Sequence, residues 1–398
     1  MQKHADVLVV GAGIVGLSTA REIQRQYPDM RIIVVDADKG PALHQSGHNS
    51  GVIHSGVYYT PGSKKATFCK QGNQDIKHYC QQYEIDYFEC GKLLVATTEI
   101  EYQRLDQLAE RAAQNKIKIA CYGARDLHHF EPNIVGEGAI YVPSTGIVDY
   151  RQIAEKLAEQ ILHASGQIYY GQPLYKIEED EHGVRCYCGQ LIIEAKKLVV
   201  CAGINSDKVV EMLGSKPDFR MVPFRGEYFK LAKHHRQIVR HLIYPVPDPN
   251  LPFLGVHLTR MINGDITVGP NAVVNFSRDG YARWAFSVRD SLAMFGYSGF
   301  HHLLKRHWQS ALIELKNSIW KRGYLEQVRK YCPEITLDDL EPFPAGIRAQ
   351  AVGAQGELID DFVFHDTEHC VVVCNAPSPA ATSCFPIARH IVERMAIE

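Results

Sequence analysis

"ADVLVVGAGIVGLSTAREI", residues 5–23, runs from a short apolar segment through a glycine-rich turn into a stretch with helical spacing. Gly11, Gly13 and Gly16 make G-x-G-x-x-G, and strand, turn and helix in that order are the context in which the spacing carries meaning. Gly11 permits the tight turn. Gly13 lets the backbone, with Ile14 and Val15 following, approach a pyrophosphate, and Gly16 lets helix and strand pack closely. Phosphates placed there meet the N–H groups and positive dipole end of the helix. "MRIIVVDAD", residues 30–38, supplies a second strand. It ends at Asp36, followed by Ala37, where a carboxylate would take the ribose hydroxyls of an adenosine half. Together these features predict an α/β dinucleotide-binding fold, without deciding between NAD and FAD.

The chain has 398 residues, enough for two domains or one large one. Its hydrophobic content of 45% and charged content of 22% are those of a globular protein, and its formal charge of -2 gives no basic footprint for nucleic acid. No run reaches about 18 apolar residues, so no spanning helix is expected, and the N-terminus enters a strand with no room for a signal peptide. Eleven cysteines form no paired CxxC set. They read as isolated buried thiols in a reducing compartment, hence a cytoplasmic protein without a structural metal.

Further along, residues 63–83 and 99–115 read as helices and "YFECGKLLVAT" as a strand. "GAIYVPSTGIVDYRQIAEKLAEQILHASG" gives strand, loop and helix, with Asp149 as cap and Ile153, Leu157 and Ile161 inward. Three short strands then precede an apolar strand, 197–201, which delivers Gly203 to the cofactor. "IVRHLIYPVPDPNLPFL" carries too much proline for a central strand, and "VHLTRMINGDITVG" reads as a hairpin. Two helices are expected near 287–296 and 299–321. "CVVVCNA" runs into a helix near Ala380, a βα unit that most simply rejoins the N-terminal sheet. The expected organisation is a discontinuous nucleotide domain of 1–90, 145–215 and 342–398. A mostly antiparallel α+β substrate domain of 91–144 and 216–341 is threaded through it.

"GHNSGVIHSGVYYTPGS", residues 47–63, combines bare backbone with imidazoles. With "VPSTGIVDY", "FRGEYF", "NLPFLGVHLTR", "TVGPNAV", "AGIRAQ" and "NAPSPAATS" it resembles the FAD-dependent oxidoreductases of the D-amino-acid oxidase and glycerol-3-phosphate dehydrogenase superfamily. Within that superfamily the segments are most similar to the L-2-hydroxyglutarate dehydrogenase (oxidase) family. The resemblance implies FAD on a Rossmann-like, glutathione-reductase-like domain and oxidation of a small dianionic 2-hydroxy acid by hydride transfer to flavin N5. Electrons would pass to a respiratory quinone or to oxygen. Alternatives are another small anionic substrate, glycerol 3-phosphate or an amino acid, and an NAD-dependent hydroxyacid dehydrogenase. The superfamily usually ends its second strand in Glu, whereas this chain has Asp36.

The resemblance implies that the loop carrying His48, Asn49, Ser50 and Gly51 runs beneath the flavin ring. It also places Asn375, Ser378, Pro379, Ala380 and Ala381 at the pyrimidine end, where N–H groups at a helix start would stabilise negative charge. His54 is the first choice for the base that takes the hydroxyl proton, and His257 is the rival. A dianion needs cations. Arg348 sits where related flavoenzymes place an arginine against the substrate acid; Arg225 is a further candidate, with Tyr228 and Tyr58 as hydrogen-bond donors and Arg260 as a weak one. Residues 299–330 carry seven Lys or Arg against two Glu, and Leu304, Trp308, Leu312, Leu315 and Ile319 share one helical face. That pattern fits peripheral contact with an anionic membrane or, alternatively, a packed helix with a solvated basic side. Oligomeric state is not read from these residues.

Overall fold

The structure, a computed structural model, describes residues 1–249 and 254–397. Residues 250–253 of the quoted "NLPFLGVHLTR" lie outside the described residues.

Five parallel strands form the centre of the first sheet, in the order Gln167–Tyr169, Ile32–Val35, Gln2–Val10, Leu191–Val200 and Cys370–Asn375. Gln2–Val10 shows why its sequence is a continuous apolar run. Val7 and Val9 pack into one core and Leu8 and Val10 into another, so both faces are covered. On the first face lie the Ile14–Gln26, Tyr150–His163 and Cys384–Arg394 helices. Leu17, Ala20 and Ile23 of the first helix are fully buried there, each large side chain stabilising by roughly 1.5–3 kcal/mol. Asp149 caps the second helix as expected, its carboxylate accepting from the Arg151 N–H at 2.9 Å.

The second sheet runs Val273–Val274, Phe219–Leu231, Ile266–Gly269, His257–Arg260, Leu242–Pro245, Lys92–Ala96, Gly138–Val142, Ala120–Gly123. Leu340–Gly353 pairs with the other side of Phe219–Leu231. All pairings in this sheet are antiparallel except Leu242–Pro245 with Lys92–Ala96. The hairpin expected at 256–269 is present, with Arg260 opposite Ile266. A small third sheet joins Val52–Ile53, Gly146–Val148 and Tyr87–Phe88.

Five expectations change. Leu242–Pro245 is an internal strand despite the prolines of its segment: Pro245, the one proline within it, is its last residue, where a missing N–H interrupts little of the ladder. "YFECGKLLVAT" splits at Gly91, which turns with φ +71°, into strands of two different sheets. Leu191–Val200 is one strand rather than two, because its first half pairs with the Gly183–Cys188 hairpin strand while its second half pairs with Cys370–Asn375. At 342 the chain continues along Phe219–Leu231 in the second sheet, and strands of the first sheet resume only with Val363–Asp366. The last helix begins at Cys384, not near Ala380. Before it, the chain closes separate turns, Ala380 N–H to the Pro377 carbonyl and Ser383 N–H to that of Pro379.

The basic segment forms the Ser298–Ile319 helix, broken at His307 (φ -121°, ψ 22°), and then Lys321–Arg329. Among the described residues no helix is long and apolar enough to cross a membrane. All eleven cysteines are unpaired; nine are buried, Cys201 is half-buried and only Cys121 is exposed.

Candidate active site

A cavity of about 570 Å³ runs from the glycine turn to the face of the second sheet. At its first end the three glycines behave as their spacing requires. Gly11 adopts φ +108°, and a Cβ on Gly16 would lie 1.9 Å from the Gly11 carbonyl oxygen. Gly13 is the N-cap of Ile14–Gln26 and no side chain caps it. Ile14 donates its N–H to Ser46 Oγ at 2.9 Å, which ties the turn to the following loop. Bare backbone and a helix start met only by the Ser46 hydroxyl suit the pyrophosphate of a dinucleotide.

Asp36 has a local task in the turn itself. Its carboxylate accepts the N–H of Ala12 at 2.5 Å and of Asp38 at 2.7 Å, so it braces the turn from behind. Burial raises its pKa from the usual carboxylate value. Among the described residues that line the cavity, Gly11, Asp36, Ala37, Gly51, Asn375 and Arg225 are absent, whereas Gly13, Ile14, Val15, Gly16, His48, Asn49, Ser50 and Gly203 are present. Asn375 is buried and clamps a neighbouring segment, donating to the carbonyls of Ile359 and Asp361 at 2.9 Å each. Ser378, Pro379, Ala380 and Ala381 line the wall, but from turns ahead of the helix.

The loop at 45–59 is held at several points. Asn49 spends its amide on the loop itself, donating to the Ser46 carbonyl at 2.7 Å and accepting the Gly51 N–H at 2.9 Å. His48 stacks on Tyr281 with ring centroids 4.1 Å apart. Thr382 Oγ1 accepts the His54 N–H at 3.1 Å and donates to the Val52 carbonyl at 3.2 Å. The His54 carbonyl accepts from Asn73 Nδ2 at 3.0 Å. These bonds fix where the His54 ring leaves the backbone.

To the same cavity the second sheet contributes Tyr228, Tyr244, His257 and Arg348. Strand alternation explains which residues of "FRGEYF" arrive. Phe224, Gly226 and Tyr228 face the cavity; Arg225 falls on the opposite face, donating to the Tyr281 carbonyl at 2.7 Å and lying 3.5 Å from Glu227. Arg225 is therefore not at the cavity wall. His257 is buried, stacked on Tyr244 at 3.9 Å, with Nδ1 2.9 Å from the Gly255 carbonyl. A carbonyl only accepts, so it selects the Nδ1–H tautomer and leaves the Nε2 lone pair. Tyr58 lines the wall with its hydroxyl buried and, among the described residues, without a hydrogen-bond partner.

Both histidines are uncharged at neutral pH. Burial first, then the nearby Lys92 and other cations, push His54 down to about 3. Burial pushes His257 down to about 4, with Lys92 and Arg348 acting in the same direction. Arg348 is open to the cavity. Lys65 adds a second cation that the sequence reading missed. It is buried, 2.7 Å from the exposed Asp360 and 5.1 Å from the Tyr59 ring centroid. Tyr244, Gln45 and Ser46 were also missed. Nothing in their local sequence marks them, since each reaches the wall through a tertiary turn or pairing.

The site thus unites a dinucleotide cradle, two neutral imidazoles and two cations in one space. That chemistry suits removal of a proton from an anionic substrate held beside a redox cofactor.

The FAD dependent oxidoreductase family matches residues 6–394. The L-2-hydroxyglutarate dehydrogenase of Escherichia coli K12 is 51% identical over 391 residues, covering 98% of this chain and 93% of that protein. The mitochondrial L-2-hydroxyglutarate dehydrogenase of Caenorhabditis elegans is 41% identical over 397 residues, covering 97% and 92%. Among solved structures, FAD-bound L-alpha-glycerophosphate oxidase from Mycoplasma pneumoniae superposes with a TM-score of 0.77 at 21% identity, covering 100% of this chain and 96% of that one. Glycine oxidase from Geobacillus kaustophilus does so with 0.75 at 15% identity, covering 99% and 96%.

Proposed function

The chain belongs to the FAD dependent oxidoreductase family, and from that premise we propose that it oxidises L-2-hydroxyglutarate to 2-oxoglutarate. Full-length likeness to the two L-2-hydroxyglutarate dehydrogenases carries this reading. The protein is an enzyme with FAD as its cofactor.

Residues 13–16, 45–50 and 376–381 would hold FAD, which when bound supplies the hydride acceptor. Arg348 and Lys65 offer one cation to each of the substrate's two carboxylates, with the Tyr228 and Tyr58 hydroxyls as donors. Guanidinium grips a carboxylate with two parallel N–H groups, and the ammonium adds a point charge. Lys65 would exchange its exposed partner Asp360 for the substrate acid. The hydroxyl proton goes to His54 or His257. His257 offers a lone pair in a fixed tautomer, and His54 a ring on a clamped backbone.

Anaerobic addition of L-2-hydroxyglutarate to the yellow holoenzyme should bleach its visible bands, whereas glycerol 3-phosphate and glycine should not. A holoenzyme that stays yellow overturns the assignment. Replacing the true base by Phe should slow bleaching by about 10²–10⁴-fold with FAD still bound, and the other histidine should matter less.

For the electron acceptor we propose a membrane quinone. Trp308, Leu312 and Leu315 are exposed rather than packed; Leu304 packs partly against the core, and the Ile319 side chain lies outside the described residues. Trp284, Phe286, Leu292 and Trp320 are exposed on neighbouring segments. Lys305, Arg306 and Lys316 add positive charge to this apolar surface, the combination that binds anionic lipid. The protein should float with anionic vesicles at low salt and partly release at high salt. Absence of flotation at low salt overturns this reading.

A further inference from the structure

Lys92 is the outlier in a strand otherwise composed of Leu93, Leu94, Val95 and Ala96. It is 1% exposed, among the largest fully buried side chains. Its ammonium lies 4.3 Å from the ring centroid of Tyr58 and 5.1 Å from that of Tyr244. Both tyrosines line the cavity, and Tyr244 carries the stacked His257 on its face. Burial is the main influence on its titration, opposed by the Cys69 thiol. Burying an ammonium is costly, and the faces of these two rings replace part of its lost hydration.

We propose that Lys92 is a positioning residue: its ammonium, caged by Tyr58 and Tyr244 behind the cavity wall, projects a positive field onto the side of the cavity that carries His54 and His257, and a dianionic substrate cancels that field on entry. This rests on the hydroxy-acid reading above.

The charges facing the histidines come from several elements. The loop after Val52–Ile53 brings Tyr58 and Tyr59. Helix Lys64–Gln82 brings Lys65 and Cys69, whose thiol burial pushes up to about 12 and so keeps neutral. Strands contribute Lys92, Tyr244, Tyr228 and Arg348; Asp360, near Arg348 and Lys65, and Asp248, 3.5 Å from Arg104, are carboxylates at the cavity wall. Lys92 itself is drawn down to about 7 by burial, so it is charged throughout the acid range in which a histidine would otherwise protonate. The substrate's two carboxylates reverse the local field. Imidazole basicity then rises on binding, and the proton acceptor is strengthened only when there is a proton to accept.

The test is the pH dependence of kcat/KM, which reports the free enzyme, and of kcat, which reports the complex, for the parent holoenzyme, Lys92→Met and Lys92→Arg. In the parent, the acid limb of kcat/KM should lie at least about one pH unit below that of kcat. Removing the nearby positive charge raises the free-enzyme imidazole pKa, so Lys92→Met should move the kcat/KM limb up by about one unit. Lys92→Arg should restore the parental limb. An unmoved limb in Lys92→Met overturns the inference. Should that variant fail to fold, coincident limbs in the parent overturn it equally. A parent that does not turn over L-2-hydroxyglutarate at any pH overturns the functional reading and this inference with it, whereas turnover with coincident or unmoved limbs overturns this inference alone.

Discussion

The two ends of the cavity are built on opposite plans. The nucleotide end is mostly backbone: Gly11, Gly13 and Gly16 within six residues, a helix start with glycine at its N-cap, and Asp36 bracing the turn by two N–H bonds. The substrate end is mostly side chain, gathered from positions 54, 58, 65, 228, 244, 257 and 348 on separate elements. A backbone site tolerates almost any side-chain change except added bulk. A side-chain site tolerates little change in chemistry but depends on several strands being in register.

Three substitutions probe that contrast. The largest effect belongs to Gly16→Val. Its Cβ would meet the Gly11 carbonyl at 1.9 Å, where backbone has no room to retreat. FAD occupancy, read from visible absorbance against total protein, should fall below about a tenth of the parental value. Full occupancy would show that the turn is not what holds the nucleotide. Arg348→Ala comes next, and it should separate the two ends by leaving FAD bound while kcat/KM collapses. Loss of a charged partner costs about 2–5 kcal/mol, roughly 30- to several-thousand-fold. Parental kinetics would move the anion clamp elsewhere. Arg225→Ala should do least, because that guanidinium faces away and serves Tyr281 and Glu227. We expect kcat/KM within about threefold and a stability loss near 1 kcal/mol by thermal unfolding. A large kinetic defect would return Arg225 to the substrate.

The same contrast explains what could be read in advance. The glycine turn, the second strand, the Asp149-capped helix and the hairpin at 256–269 depend on neighbours in sequence, and their spacing carries them. His54, His257 and Arg348 were reached through resemblance, and the cavity unites them. Arg225 failed because a one-residue step along a strand reverses the facing direction, and "FRGEYF" does not state which face is inward. Leu242–Pro245 failed because proline was judged by composition rather than by its place at the strand end. Lys65 and Tyr244 had no local mark. Lys92 had one that went unused: a lone charge at the head of an apolar strand.

Thr382 grips the Val52 carbonyl across 330 residues of chain, and Tyr150 joins them both. During synthesis the histidine loop emerges early, but its anchoring hydroxyl arrives only after the intervening polypeptide has left the ribosome. A nascent product ending before Thr382 would carry the glycine turn yet lack this fastening. Completion of the pocket is thereby coupled to late translation, and prematurely terminated chains should be exposed to proteolysis around residues 45–59.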